Sequence, residues 1–97
     1  MKYHKNLTRE QMLSYGWKTM LQMAASEFSR ANSMLRQGGP EIEMCQNRAK
    51  EIIGVLESEI SLPSNIGQQL MAIINDVINT PRKNYRSYYD QLMQLAS

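Results

Sequence analysis

Apolar residues recur along most of the chain at steps of three and four, the spacing of one face of an α-helix. In the first segment they form a stripe at Leu13, Trp17, Met20, Ala24, Phe28, Ala31 and Leu35. No segment alternates apolar and polar residues in the manner of a half-buried strand. The pattern therefore predicts an all-α protein.

Prolines at positions 40, 63 and 81 divide the chain into four helical segments. Thr8 and Gln11 have the spacing of a capping box, which predicts where the first helix begins. Ser64 is expected to cap the third helix and Pro81 to open the fourth. The expected helices are 8–37, 41–61, 64–79 and 81–96.

Short connections between four amphipathic helices favour an antiparallel four-helix bundle, formed as a single domain over residues 1–97. The first helix would be roughly 45 Å long by the helical rise, and the third and fourth about half that length. Six side chains are expected in the core: Trp17, Phe28, Ile52, Leu56, Leu70 and Ile73. Short helices beside a long one would leave apolar surface uncovered, and such surface favours a partner.

Composition narrows the class of protein. Apolar types make up 42% of the 97 residues and charged types 21%, and no run approaches the length of a membrane span. No apolar stretch follows the basic start, and the single cysteine fits a reducing compartment. We therefore expect a cytoplasmic protein that does not insert into membranes.

Candidate catalytic and metal-binding residues are few. His4 is the only histidine, and Glu41 and Glu43 are two residues apart, so they point to different sides of a helix. Cys45 lies on an apolar stripe and is expected to be a buried structural thiol. The sequence predicts no enzyme, no catalytic residue, no cofactor and no metal.

Basic and aromatic residues alternate over positions 82–89, a pattern that could bind nucleic acid by stacking bases. However, a core-facing helical stripe would have the same spacing, with Tyr85, Tyr88, Tyr89 and Leu92 as its members. A net charge of only +2 also argues against binding through bulk charge. Core or protein contact is the favoured interpretation, and nucleic-acid binding remains an alternative.

Part of the second predicted helix resembles the second helix of the flagellar secretion chaperones, the FliS family. This part reads Asn47-Arg48-Ala49-Lys50-Glu51-Ile52-Ile53-Gly54-Val55-Leu56-Glu57-Ser58-Glu59-Ile60. The segment 66–73 is similar to the start of that family's next helix, and 8–12 to the start of its first. The Leu-Tyr-Asp-Gly motif of the family falls on residues 16–19, where only the aromatic residue is kept. A looser resemblance joins residues 62–95 to the FliT-type export chaperones.

The resemblance implies a helical bundle that binds the disordered C-terminal segment of flagellin and prevents premature assembly. Such helix-in-groove recognition uses apolar anchors at helical spacing. Candidate partner-binding residues are those that flank the core stripes: Met44, Ile53, Val55, Met71, Ile74 and Ile78. The same residues could instead widen the core, and both interpretations remain open.

A second class of function is a small homodimeric structural or regulatory module. Two copies of an incomplete bundle could cover each other's apolar edges symmetrically. The expected partners are thus a flagellin-like client or a second copy of the chain.

Overall fold

The computed structural model describes residues 8–35, 41–59, 62–80 and 84–97. Within these ranges all regular structure is helical and no strand is present. The helices are α1 (Arg9–Ser14), α2 (Trp17–Met34), α3 (Glu41–Glu59), α4 (Ser64–Asn79) and α5 (Tyr85–Ala96). The prediction of an all-α protein is confirmed, and the packing is consistent with a bundle.

Helix α2 is the centre of the packing, because it lies along both α3 and α5, while α4 lies beside α3. The radius of gyration is 12.7 Å, close to the roughly 12.5 Å expected of a compact chain of this length. One continuous core receives side chains from every helix, among them Met12, Phe28, Leu56, Leu70 and Leu92.

The predicted first helix, 8–37, is wrong as one continuous element. Gly16 interrupts it with φ 84° and ψ 159°, a backbone conformation that is essentially restricted to glycine. Its carbonyl accepts the N–H of Met20 at 3.1 Å and so starts α2 afresh. A straight helix of roughly 45 Å would also exceed the longest dimension of the molecule, 36 Å. Residues 36 and 37 lie outside the described ranges.

The break changes which side of α1 faces the core. The predicted stripe contains Leu13, but Met12 is fully buried and Leu13 is only half-buried. The capping box is confirmed at the start of α1: the Gln11 N–H donates to Thr8 Oγ1 at 3.1 Å, and the Thr8 N–H donates to Gln11 Oε1 at 2.9 Å.

One predicted helix cap and one predicted helix start are corrected. The N-cap of α4 is Pro63, whose carbonyl accepts the first N–H groups of the helix, and Ser64 is already helical. The fourth predicted helix begins at Tyr85 and not at 81, because the Asn84 side chain accepts the N–H of Ser87 and caps it. Residues 60, 61 and 81–83 lie outside the described ranges.

Five of the six predicted core residues are confirmed as buried: Phe28, Ile52, Leu56, Leu70 and Ile73. Trp17 is the exception, because it sits in the first turn of α2 and is only half-buried. The ammonium of Lys18 lies 5.6 Å from the centre of the Trp17 ring, the geometry of a cation–π contact.

Candidate partner-binding surface

Helix α4 carries apolar residues on more than one side. Its inner face consists of four buried residues at helical spacing, namely Ile66, Leu70, Ile73 and Val77. A second apolar row contains Met71 and Ile78, which are 50% and 58% exposed, with half-buried Ile74 between them. We call Met71, Ile74 and Ile78 the α4 stripe.

Helix geometry places the α4 stripe on one flank of the inner face. At about 100° per residue, the stripe lies roughly a quarter-turn from the inner face, and Asp76 lies a quarter-turn away in the opposite direction. The Asp76 flank faces α5, since the Tyr88 hydroxyl donates to Asp76 Oδ2 at 2.5 Å. The α4 stripe is therefore on the flank that points away from α5.

Charge is nearly absent from α4. Its 16 residues include no lysine or arginine, and Asp76 is the only acid. Hydrogen bonds from Tyr88 and from Thr80, the latter at 2.9 Å, lower the pKa of the Asp76 carboxyl. The single charge on α4 is thus engaged on the α5 side, and the α4 stripe carries none.

The three candidate residues on α3 do not form one surface. Ile53 is fully buried in the core, so its assignment to a partner-binding surface is wrong. Met44 is 42% exposed, and Val55 is half-buried against the core. Ile53 and Val55 are two residues apart on a helix and therefore face different sides. The spacing of apolar residues along α3 did not show which side of that helix α2 covers and which side stays exposed.

Two of the three tyrosines in the segment that suggested nucleic-acid binding are part of the core, and Tyr89 is half-buried against it. Tyr85 and Tyr88 are 5% and 2% exposed, and their ring centres lie 6.1 Å and 5.3 Å from that of Phe28. Burial raises the pKa of the Tyr85 hydroxyl, and burial together with the Asp76 carboxylate raises the pKa of Tyr88. Neither ring is available to stack on a base. Arg82 and Lys83 lie outside the described residues.

One buried polar group lies between α2 and α3. Glu27 is 9% exposed, and its Oε2 atom has no hydrogen-bond partner, whereas Oε1 accepts from Arg30 at 3.5 Å. Cys45 is buried as predicted, and burial, with Glu27 as a second cause, raises the pKa of its thiol. A thiol held in its neutral form is a poor nucleophile.

The described parts of the chain contain no group of three or more His, Cys, Asp or Glu side chains close enough to hold one metal ion. Nor does any described helix combine the length and the apolar character that crossing a membrane requires. Comparisons with models of known protein families, with curated proteins and with solved structures find no match for this chain.

Proposed function

We propose that this chain is a cytoplasmic export chaperone that binds a disordered or helical segment of a flagellin-like client and delays the assembly of that client. In this proposal the chain acts by binding alone, without a catalytic group or a cofactor. It functions as an antiparallel bundle built mainly from α2 to α5, in which the client occupies a position beside α4.

The α4 stripe is the observation that carries the proposal. Met71 and Ile78 are each at least half exposed, although both belong to residue types that are normally buried. Methionine is common on surfaces that bind variable partners because its flexible thioether adapts to their shape. Met44 on α3 is also exposed, so a second helix presents a methionine side chain to solvent.

The chemistry of the surface defines the client. A face without charge offers no ion pairs, so affinity must come from several apolar anchors at helical spacing. The client segment would be amphipathic and would order on binding, which uses part of the contact energy. Moderate affinity and easy release follow, and both suit a chaperone that hands its client on.

A matched pair of substitutions tests the proposal. Met71→Glu and Ala72→Glu add the same charge to neighbouring exposed positions of α4, but only Met71 belongs to the α4 stripe. Binding of a fluorescent peptide from the C-terminal segment of flagellin would be measured for the wild type and both variants. We expect at least a tenfold loss of affinity for Met71→Glu, because it buries an unpaired carboxylate, and less than a twofold loss for Ala72→Glu.

Thermal melts followed by circular dichroism control for folding. Both substituted positions are exposed, so the melting temperatures should stay within a few degrees of the wild type. Failure of the wild type to bind the peptide, or equal losses for the two variants, would contradict the proposal.

Val55 and Ile74 are poorer probes of the same surface. Both side chains pack partly against the core, so a change of either to Asp is expected to lower stability as well as binding. Substitutions at the more exposed Met71 and Ile78 separate these two effects.

A further inference from the structure

The α4 stripe extends by one more position at its N-terminal end. Gly67, Met71, Ile74 and Ile78 follow one another at steps of four, three and four residues. Apart from its chain neighbours and the backbone of its own helix, nothing lies within 4 Å of the place that a side-chain carbon on Gly67 would occupy, so space is open there. The extended row, residues 67 to 78, spans about 16 Å along the helix axis.

The spacing of this row reads the same in both directions. Steps of four and three are the a and d positions of a heptad, and in an antiparallel pair each a position meets a d position. If α4 meets a second α4 about a two-fold axis between residues 72 and 73, Met71 lies opposite Ile74 of the other copy. Gly67 then lies opposite Ile78 of the other copy.

The sizes of the opposed side chains are complementary. Ile78 is the most exposed large apolar residue of the described chain at 58%, and the position opposite it is a glycine beside open space. Exposed Met71 and half-buried Ile74 meet in the two central layers of the pair. A small residue opposite a large one allows the helix axes to approach to about 8 Å.

The absence of charge on this face of α4 also suits a second copy of the chain. In a two-fold interface the same patch is used twice, so every charge near the axis meets a like charge. Of the residues of α4 only Asp76 is charged, and it is hydrogen-bonded to Tyr88 on the opposite flank. The row can therefore face its own copy without repulsion between like charges.

We infer that the row Gly67, Met71, Ile74 and Ile78 is a self-association surface, on which two copies of the chain pair through antiparallel α4 helices. The contact is only about three turns long, so it is smaller than a standard stable interface and reversible. The inference also builds on the proposed function. Because both occupants would use α4, a second copy and a client exclude one another there.

Sedimentation over a range of concentrations tests the association. The wild type should change from monomer to dimer as concentration rises. Ile78→Asp should weaken the dimer at least tenfold, because the charge enters the interface twice, whereas Ala72→Asp on the same helix should change it less than twofold. A wild type that is monomeric throughout, or equal effects of the two variants, would overturn the inference.

Disulfide trapping tests the antiparallel alignment without depending on the strength of the dimer. The double variant Gly67→Cys, Ile78→Cys should form a covalent dimer on mild oxidation, because the opposed Cα atoms would lie within the 4.4–6.8 Å that a disulfide requires. Neither single variant should do so, and Cys45 does not compete because it is buried in the native chain. Covalent dimers from the single variants would mean a parallel pair and would overturn the alignment.

The two proposals fail in different ways. If the double variant forms a dimer but no flagellin peptide binds to the reduced protein, self-association stands and the chaperone function fails. If the peptide binds and the double variant remains monomeric, the chaperone function stands and the self-association surface fails. If both hold, the covalent dimer should bind the peptide at least tenfold more weakly than the reduced protein.

Discussion

Helices α4 and α5 are both strongly amphipathic, but the fold uses them differently. The aromatic row of α5 is buried against α2, where Tyr85 and Tyr88 surround Phe28. Helix α4 buries one face and leaves a second apolar row open to solvent. The difference shows that an apolar row indicates where a helix can make contacts, whereas the number of neighbouring helices decides how much of it is covered.

The hydroxyl groups of α5 explain part of this difference. Each tyrosine packs its ring against α2 and directs its hydroxyl to another helix: Tyr85 donates to Gln46 on α3 at 3.4 Å, and Tyr88 donates to Asp76 on α4. Helix α5 thus joins three other helices through two side chains. The side chains of the α4 stripe are apolar and form no such link, and Met71 and Ile78 stay exposed.

The largest expected effect is at the centre of the α2–α5 contact. Phe28→Ala removes a fully buried ring that touches two tyrosines, and should lower the free energy of unfolding by about 3–5 kcal/mol. Met71→Ala on the α4 stripe should change the free energy of unfolding by less than about 0.5 kcal/mol. Urea unfolding would measure both, and similar losses at the two sites would mean that α4 is as well covered as α5.

The next largest effect concerns the start of α2, which places Phe28 opposite α5. Gly16→Ala should cost about 1–3 kcal/mol, because φ 84° with ψ 159° is a conformation that alanine does not readily adopt. The cost comes from the backbone alone, since no other side chain occupies the space near Gly16. An unchanged melting temperature would imply that α1 and α2 can be one continuous helix.

A smaller change in the free energy of unfolding, this time a gain in stability, is expected at the N-terminal end of the α4 stripe. Gly67→Ala should stabilise the monomer by about 0.5–1 kcal/mol, because glycine disfavours the interior of a helix and the space for a methyl group is free. Gly54→Ala on α3 is the matched control, with equally open surroundings. Thermal melts at low protein concentration should show both gains, and a loss at Gly67 alone would reveal an intramolecular neighbour of the row.

The smallest expected effect is a dependence of stability on pH, which comes from the hydrogen bond between Tyr88 on α5 and Asp76 on α4. Hydrogen bonds from Tyr88 and Thr80 lower the pKa of Asp76, so the native state favours the ionised carboxyl. The resulting stability is complete above the ordinary pKa of 3.8 and is lost as the pH falls through the lower native value.

The test compares the wild type with Asp76→Asn across pH. The difference in urea midpoint should be largest near neutral pH and should close under strongly acidic conditions. Asp90→Asn, which removes the exposed partner of Arg86, should show a smaller difference near neutral pH. A difference for Asp76→Asn that grows in acid would contradict the role of the hydrogen bonds.

Local signals in the sequence determined several features. Helical spacing predicted the all-α class, and it predicted the limits of α4 correctly because the proline at 63 and the one at 81 bound that segment. The capping box of Thr8 and Gln11 was readable because it involves only residues three apart. The burial of Phe28, Leu56 and Leu70 followed from their places at the centres of apolar rows.

Tertiary structure decided the features that depend on neighbours distant in the chain. Nothing in the local pattern distinguishes buried Ile53 from exposed Met71, since both flank a core row and only the presence of another helix separates them. Gly16 was compatible with a continuous helix as a residue type, and only its left-handed backbone shows that the helix stops. Helical periodicity specifies the direction of a side chain, but burial requires a second surface, which the arrangement of the helices provides.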